Sequence, residues 1–418
     1  MIILLLIAVA TALLAMRVSL ILVLVFLAMA VHMIWGAGQL EYFAQDVWAS
    51  MDREVVLAIP LFILVGAVMS RGSIACRLVD VMTSVTRGLP GGLAVATILS
   101  CAIFSAISGS SIVTMLAVGT ILYPALTENG YSRRFAIGAL CAGGTLGIII
   151  PPSIPMILFG IITESSISDL FLAGVLPGLL LSFSFAGYAV FANRNVERQF
   201  FSFHEFGTSL WRGIPALMMP VILLGGIYSG YFSPTESAAV ALLYAVLIES
   251  LFFRELRFSD YFTISVESAK LVGALFPLIA IAASINLVLT EQRVPHEVVS
   301  FISTHVESQV MFLLLINAVL LVMGCFMDTA SAITVSAPLL QPIAESYGIN
   351  VTHLGVLMIV NLEIGILTPP FGLNLIVAMT AFRQDFSFVC RAVMPFIAIM
   401  LICLILITFL PGITLALL

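Results

Sequence analysis

The sequence predicts an all-α polytopic membrane protein built from inverted repeats, each with a re-entrant helical hairpin and an interrupted helix. Three observations carry that expectation. Of 418 residues, 61% are hydrophobic and only 9% charged, and the mean hydropathy is +1.20, more apolar surface than a water-soluble fold can bury. The chain also repeats itself at an offset of 218 residues: Gly147-Ile148-Ile149-Ile150-Pro151-Pro152 returns as Gly365-Ile366-Leu367-Thr368-Pro369-Pro370, with Pro124 matching Pro342 and Gly130 matching Gly348. Apolar segments that break at glycine and paired proline in matching positions of two halves mark discontinuous membrane helices around a shared site. Finally, one threading of the chain leaves all but Arg53 and Arg293 of the 16 basic residues on the cytoplasmic side, as the charge bias of short loops requires.

The elements follow in order. Apolar runs over 1–16 and 18–35 make two membrane helices with a tight turn at Arg17; with no basic leader ahead of them, they do not read as a signal peptide. Residues 36–53 form an outside connection, and 55–70 return to an inside segment bearing Arg71, Arg77 and Arg87. The stretch from Leu89 to Glu128 is too long for one crossing and ends near Arg133 and Arg134, so it folds as a hairpin that enters from the cytoplasm and turns back. An interrupted helix over 135–163 leads out, and 170–192 returns to Arg194, Arg198 and Arg212.

The second half starts from the opposite face, with helices at 213–231, 237–253 and 271–289 and a second hairpin near 308–345 that enters from outside. A second interrupted helix over 354–381 and a last helix over 393–415 complete the chain. Residues 73–86 and 255–270 are polar enough to be interfacial connectors. Trp35, Trp48 and Trp211 fall at the proposed interfaces, where aromatic side chains gather. The expected division is scaffold helices at 1–72, an arm at 73–88, a first transport half at 89–192, scaffold again at 193–257, an arm plus scaffold helix at 258–293, and a second transport half at 294–418.

Several function classes are excluded. Cysteines 76, 101, 141, 325, 390 and 403 form no CxxC or Cys/His pattern, so neither a disulfide framework nor a clustered metal site is expected. The net charge of −6 and the scattered basic residues give no nucleic-acid footprint. The lone lysine, Lys270, stands in no GxxxxGK[ST] sequence, so ATP does not drive the chain. Histidines 32, 204, 296, 305 and 353 lie mainly in loops or at helix ends, with no Ser/His/Asp or His/Glu constellation within a helix; a membrane-embedded enzyme is the weaker reading. A passive channel is disfavoured because no ring of charge accompanies the broken helices.

Two motif pairs carry the chemistry. Ser108-Gly109-Ser110-Ser111 interrupts the first hairpin. Small hydroxyl residues and glycine either let helices pack closely or converge oxygens on a hard cation; the nearby break at Gly147–Ser153 favours the second reading. That break removes amide donors at both prolines and frees carbonyls near Gly147 to Ile150, while the positive start of the following half-helix suits an anion. A bare proline kink is the alternative. In the second hairpin, Gly324 to Ser331 face the break at Gly365–Pro370, and Asp328 and Thr329 stand where Ser110 and Ser111 stand in the first. Asp328 either ligates a cation or caps a half-helix. Glu363 either holds the broken backbone or contacts cargo, Asn374 either reaches cargo or bonds a neighbouring helix, and Ser233 or Thr235 caps the helix that follows.

With these residues in view, the sequence resembles the large membrane (M, DctM-like) subunit of TRAP transporters, the tripartite ATP-independent periplasmic family. The similar blocks are AIPLFILVGAVMSRG at 58–72, SGSS at 108–111, GGTLGIIIPPSIP at 143–155, PTES at 234–237, and MDTASAI with LEIGILTPPFGLN at 327–374. The resemblance implies an ion-transporter-superfamily elevator fold in a bacterial or archaeal inner membrane, coupled to Na⁺. It also implies a small (Q, DctQ-like) membrane subunit, expected on a separate chain because this one begins directly in its first helix, and a periplasmic substrate-binding protein. By the family pattern, one Na⁺ site maps to Ser108, Ser111, Gly147, Ile150 and Pro151, and a second to Gly324, Gly365 and Thr368, with Asp328 added as a candidate. Cargo is expected between the hairpins, near Ser110, Thr145, Pro152, Thr329, Pro370 and Asn374. Ala67 stands where the family often has a glutamate. The expected cargo is a monocarboxylate or dicarboxylate anion; a standalone carboxylate transporter without a binding protein is the rival reading.

Overall fold

A computed structural model describes residues 20–35, 40–196, 200–292 and 308–418, with isolated positions at 9, 13, 16, 18, 299, 300, 304 and 306. The expected helix over 1–16, Arg17, Arg198, Arg293, His296 and His305 therefore fall outside, or almost wholly outside, the described residues. The order is α1 (Leu20–Trp35), α2 (Leu40–Met51), a 3₁₀ turn (Glu54–Leu57), α3 (Ala58–Arg71), α4 (Ile74–Thr86), α5 (Gly92–Ser108), α6 (Ser111–Glu128), α7 (Arg133–Ile149), α8 (Ile154–Thr163) and α9 (Ile167–Ala192). Then come α10 (Phe203–Tyr228), α11 (Pro234–Leu247) running into a π turn (Ile248–Phe252), α12 (Phe258–Glu291), α13 (Gln309–Phe326), α14 (Thr329–Ser346), α15 (Val351–Gly365), α16 (Leu373–Ala381), α17 (Phe386–Phe409) and α18 (Gly412–Leu415). Among the described residues no strand occurs, and nine helical segments are long and apolar enough to cross a bilayer.

Side-chain caps start many of these helices. Ser132, Ser153, Ser166, Ser202, Ser308 and Asn350 each accept a backbone N–H from the first turn that follows. Ser233 opens α11 with a capping box closed by Glu236, which settles the choice between Ser233 and Thr235. Glu249, placed by the π turn, is fully buried and accepts the backbone N–H of Ile74 at 3.0 Å, capping α4 from a distant helix. Gly72 leaves the room that this carboxylate occupies.

The two broken helices form the centre. Every residue from Phe135 to Ile149 and from His353 to Gly365 is buried, as expected for helices that are apolar all round. Hairpin α5–α6 packs against α7, and α13 and α14 against α15, so each broken helix lies in its own hairpin; α14 also packs along α8. Among the described residues, long-range pairs at the helix ends join ends that the charge argument places on one side. Arg53 pairs with Glu164 at 3.0 Å and Gln341 donates to Thr163 O at 3.4 Å on one face; Arg71 pairs with Glu267 at 3.3 Å and Arg87 with Glu205 on the other. The open end of α5–α6 thus lies on Arg87's side and that of α13–α14 on Glu164's side, which makes the repeats inverted.

Several boundaries differ from expectation, the last long helix among them, since α17 begins at Phe386 rather than 393 and ends at Phe409. Residues 255–270 and 271–289 do not separate: α12 runs unbroken over 34 residues, because nothing near Lys270 stops a helix and Pro277 is accommodated within it. The outside connection contains a helix, α2, whose apolar side packs on α12. α10 begins at Phe203 rather than 213, capped by Ser202.

At Gly138 a Cβ would strike the Ala392 carbonyl oxygen on α17, whereas at Gly187 it would meet nothing within 4 Å. Gly138→Ala should therefore cost about 1–3 kcal/mol and Gly187→Ala almost nothing, read as thermal unfolding of the purified protein; equal midpoints for the two variants would contradict this packing.

Candidate functional site

At the first hairpin tip α5 ends on Ser108, Gly109 turns the chain with φ +58°, and extended Ser110 leads into α6. A left-handed residue is needed there, and glycine adopts it without strain. Ser108 Oγ lies 2.6 Å from Thr114 Oγ1. Gly147 sits against the tip so closely that a Cβ would lie 2.6 Å from both Ser110 O and Thr114 Oγ1, and Gly66 on α3 makes the same approach to Ser108 O at 2.9 Å. Residues four beyond Gly147 and Ile148 are Pro151 and Pro152, so those two carbonyls lack their helical donors. Ile150 ends α7 in an extended conformation, and Ser153 caps α8. Ser108, Ser110, Thr114 and Gly147 thus bring hydroxyl and carbonyl oxygens together. Thr114 went unremarked in the sequence, although its spacing from Ser111 puts both on one helical face.

At the second tip Asp328 caps α14, accepting the Ser331 N–H at 3.0 Å and the Ser331 hydroxyl at 2.5 Å. The capping geometry is therefore present. Thr329 Oγ1 donates to Glu363 Oε1 at 2.8 Å. Gly324 and Gly365 touch, a Cβ on Gly324 lying 2.9 Å from Gly365 Cα. Thr368 donates its N–H to Gly365 O at 2.8 Å and its hydroxyl to Ile364 O at 2.7 Å. Gly324, Gly365 and Thr368 therefore cluster, while Asp328 belongs to the cleft beside them.

That cleft is a cavity of about 150 Å³ between the tips and the breaks, lined among others by Ser110, Ser111, Asp328, Thr329 and Asn374. The Asn374 Nδ2 donates to Ser111 Oγ at 3.2 Å, tying α16 to the first hairpin. The cavity wall also holds the first residues of α6, α8, α14 and α16: Ser111, Ile154, Thr329 and Leu373. Four helix N-termini converge on one space, and among the described residues no arginine or lysine lines it. Of the residues expected near cargo, Ser110, Thr329 and Asn374 line the cavity; Thr145, Pro152 and Pro370 do not. Thr145 is buried with its hydroxyl donated to Ala142 O, and Pro370 is exposed.

The sequence shows no Ser/His/Asp constellation within one helix, but the fold brings one together from three helices. His32 Nε2 lies 2.8 Å from Ser284 Oγ, whose hydroxyl donates to Asp46 Oδ2 at 3.1 Å. A catalytic triad requires the serine proton to point at histidine and the carboxylate to hold Nδ1; here the proton points at Asp46, and Nδ1 has no partner among the described residues. The cluster is a clasp joining α1, α2 and α12. Among the described residues no group of three His, Cys, Asp or Glu could hold a metal ion.

Inverted units whose hairpin tips and half-helix ends enclose one polar cavity define a multi-pass membrane transport protein. Residues 5–413 match the family described as tripartite ATP-independent periplasmic transporter, DctM component, and the chain belongs to that family. It is 39% identical over 389 residues to the C4-dicarboxylate TRAP transporter large permease protein DctM of Pseudomonas aeruginosa, covering 92% of this chain and 91% of that protein. It is 34% identical over 386 residues to the ectoine TRAP transporter large permease protein TeaC of Halomonas elongata, covering 92% and 90%. The isethionate TRAP transporter permease protein DctMQ of Oleidesulfovibrio alaskensis is 35% identical over 390 residues, which are 92% of this chain and 61% of that protein. The fold is shared with the Alcanivorax borkumensis YdaH transporter at a TM-score of 0.69 and 13% identity, covering 94% of this chain and 98% of that one. These relatives are named as permeases and transporters rather than enzymes, and the chain is a TRAP transporter large permease of the inner membrane.

Removing the cap of α14 should be measurable. Asp328→Ala is expected to cost about 0.5–2 kcal/mol and Asp328→Asn much less, seen as a graded fall in the unfolding midpoint; an unchanged Asp328→Ala midpoint would contradict the capping geometry.

Proposed function

We propose that this chain is the large transmembrane subunit of a Na⁺-coupled, binding-protein-dependent importer of a small organic acid. The observation that carries the reading is the convergence of four helix N-termini on the cavity between the hairpin tips. Partial positive charge from those termini favours an anion, and a cavity of about 150 Å³ suits a small acid. C4-dicarboxylates are the first cargo to test, because several relatives are named for them.

The tips fit Na⁺ by donor chemistry. Ser108 and Ser111 contribute hydroxyls from the hairpin tip, and Gly147, Ile150 and Pro151 contribute backbone carbonyls at the break, the neutral hard oxygens a monovalent cation takes. Gly324, Gly365 and Thr368 form the second, symmetry-related cluster, with the Asp328 carboxylate close to the cleft. Na⁺ binding at both breaks would shape the tips that the anion contacts.

In this reading the two hairpin-and-break units (89–192 and 294–418) move together as an elevator against scaffold helices at 1–72 and 193–257. The helix α4, wedged between α10 and α5, supplies the first connecting arm, and the first part of α12 extends toward the second. A Q-type small membrane subunit on its own chain and a periplasmic binding protein complete the system; the joined name of the Oleidesulfovibrio relative supports the first partner.

The test is uptake of labelled C4-dicarboxylate into proteoliposomes holding this chain and its small-subunit partner, with and without binding protein and an inward Na⁺ gradient. Uptake that needs both is expected. Na⁺-driven uptake without the binding protein would favour a standalone transporter, and uptake indifferent to Na⁺ would overturn the ion coupling. Ser111→Ala and Thr368→Ala should each raise the half-saturating Na⁺ concentration about fivefold, the loss of roughly 1 kcal/mol from one oxygen partner, without loss of folded protein; unchanged Na⁺ dependence in both would count against these assignments.

A further inference from the structure

The strongest unexplained group in the molecule is Glu363. It lies on α15 two residues before the second break and is 0% exposed. Its Oε1 accepts the Thr329 hydroxyl at 2.8 Å, and among the described residues its Oε2 is buried with no hydrogen-bond partner. The Ser111 hydroxyl also faces this carboxylate. Ser111 and Thr329 are equivalent positions of the two hairpin tips under the 218-residue offset, so one side chain touches matching points of both. Glu363 itself has no acidic counterpart: the corresponding residue is Thr145, whose hydroxyl is spent on its own helix. Among the described residues no arginine or lysine is buried, and none supplies an internal counter-charge. A carboxyl buried at membrane depth persists either as the neutral acid or with a cation supplied from outside, and the unpartnered Oε2 leaves a position open for the second.

We propose that Glu363, with Thr329 and Ser111, forms an additional cation-binding position for Na⁺, set between the hairpin tips and sharing Ser111 with the neutral cage of the first tip. The proposal rests on the Na⁺-coupled reading above. Its consequence is specific to the two-tip arrangement: an ion at Glu363 ties the first hairpin to the second, so the wall of the cargo cavity is complete only when that ion is bound. The two neutral clusters each serve one half; Glu363 is where the halves share a ligand.

The experiment is a Na⁺ titration of thermal unfolding on the purified full-length chain with its small-subunit partner, at constant ionic strength with choline replacing Na⁺. Na⁺ should stabilise the wild type. In Glu363→Gln, half of that stabilisation should require about tenfold more Na⁺ or be lost, the scale set by removing a charged partner in a dry site. Glu363→Gln with the wild-type Na⁺ midpoint would overturn the proposal, since it would leave the carboxyl as a hydrogen-bond acceptor only. Should Glu363→Gln not fold, Thr329→Val carries the test: a shifted midpoint supports the site and an unshifted one overturns it. If Thr368→Ala weakens the Na⁺ response while Glu363→Gln does not, this inference alone fails; if the wild type shows no Na⁺ response, the ion-coupled reading falls with it.

Discussion

A helix that stops inside a bilayer leaves carbonyls and amides that lipid cannot satisfy, and most of this architecture answers that constraint. The prolines at 151, 152, 369 and 370 remove donors where α7 and α15 end. Hairpin tips are brought against the resulting gaps, and that demands glycine at the points of closest approach: Gly147 against Ser110, Gly66 against Ser108, and Gly324 against Gly365. The same approach that shelters the broken ends also gathers the oxygens and helix N-termini that make a binding site. Closure of the backbone and construction of the cavity are one event.

The repeats are equal in backbone and unequal in charge. Where the first tip has Ser110 and Ser111, the second has Asp328 and Thr329; where the first broken helix has Thr145, the second has Glu363; and Asn374 stands where Met156 stands. Among the described residues, the carboxylate lining the cavity, Asp328, and the one bonded to Thr329, Glu363, both come from the second half. The first half offers neutral oxygens, and its Ser111 is held by Asn374 across the midline. Two similar frames thus present different chemistry to one cavity, neutral oxygens from the first half and a carboxylate from the second, with no basic side chain among the described residues lining it.

Much of this was legible in the residues. The 218-residue offset located both hairpins and both breaks to within a few positions, because Pro-Pro and Ser-Gly-Ser act on the backbone locally. What sequence reasoning missed depends on partners far along the chain. The continuity of α12 was hidden because polar residues at its start look like an interfacial helix, while no local signal distinguishes a projecting helix from a separate one. α2 was hidden in a loop because its apolar face becomes meaningful only against α12. The Thr329–Glu363 bond and the His32–Ser284–Asp46 clasp join residues 34 and 252 positions apart or are built from three helices, and such pairings leave no trace in spacing.

The unbroken α12 has a mechanical meaning. At 1.5 Å per residue its 34 residues reach about 50 Å, well past the roughly 30 Å of hydrocarbon, so it must tilt or stand out of the membrane. It is fastened twice: Glu267 to Arg71 near its start and Ser284 to His32 and Asp46 further along, points about 25 Å apart on its axis. A stiff rod pinned at two depths resists shear between the leaflets. A load on either of these contacts is carried to the other along one continuous helix.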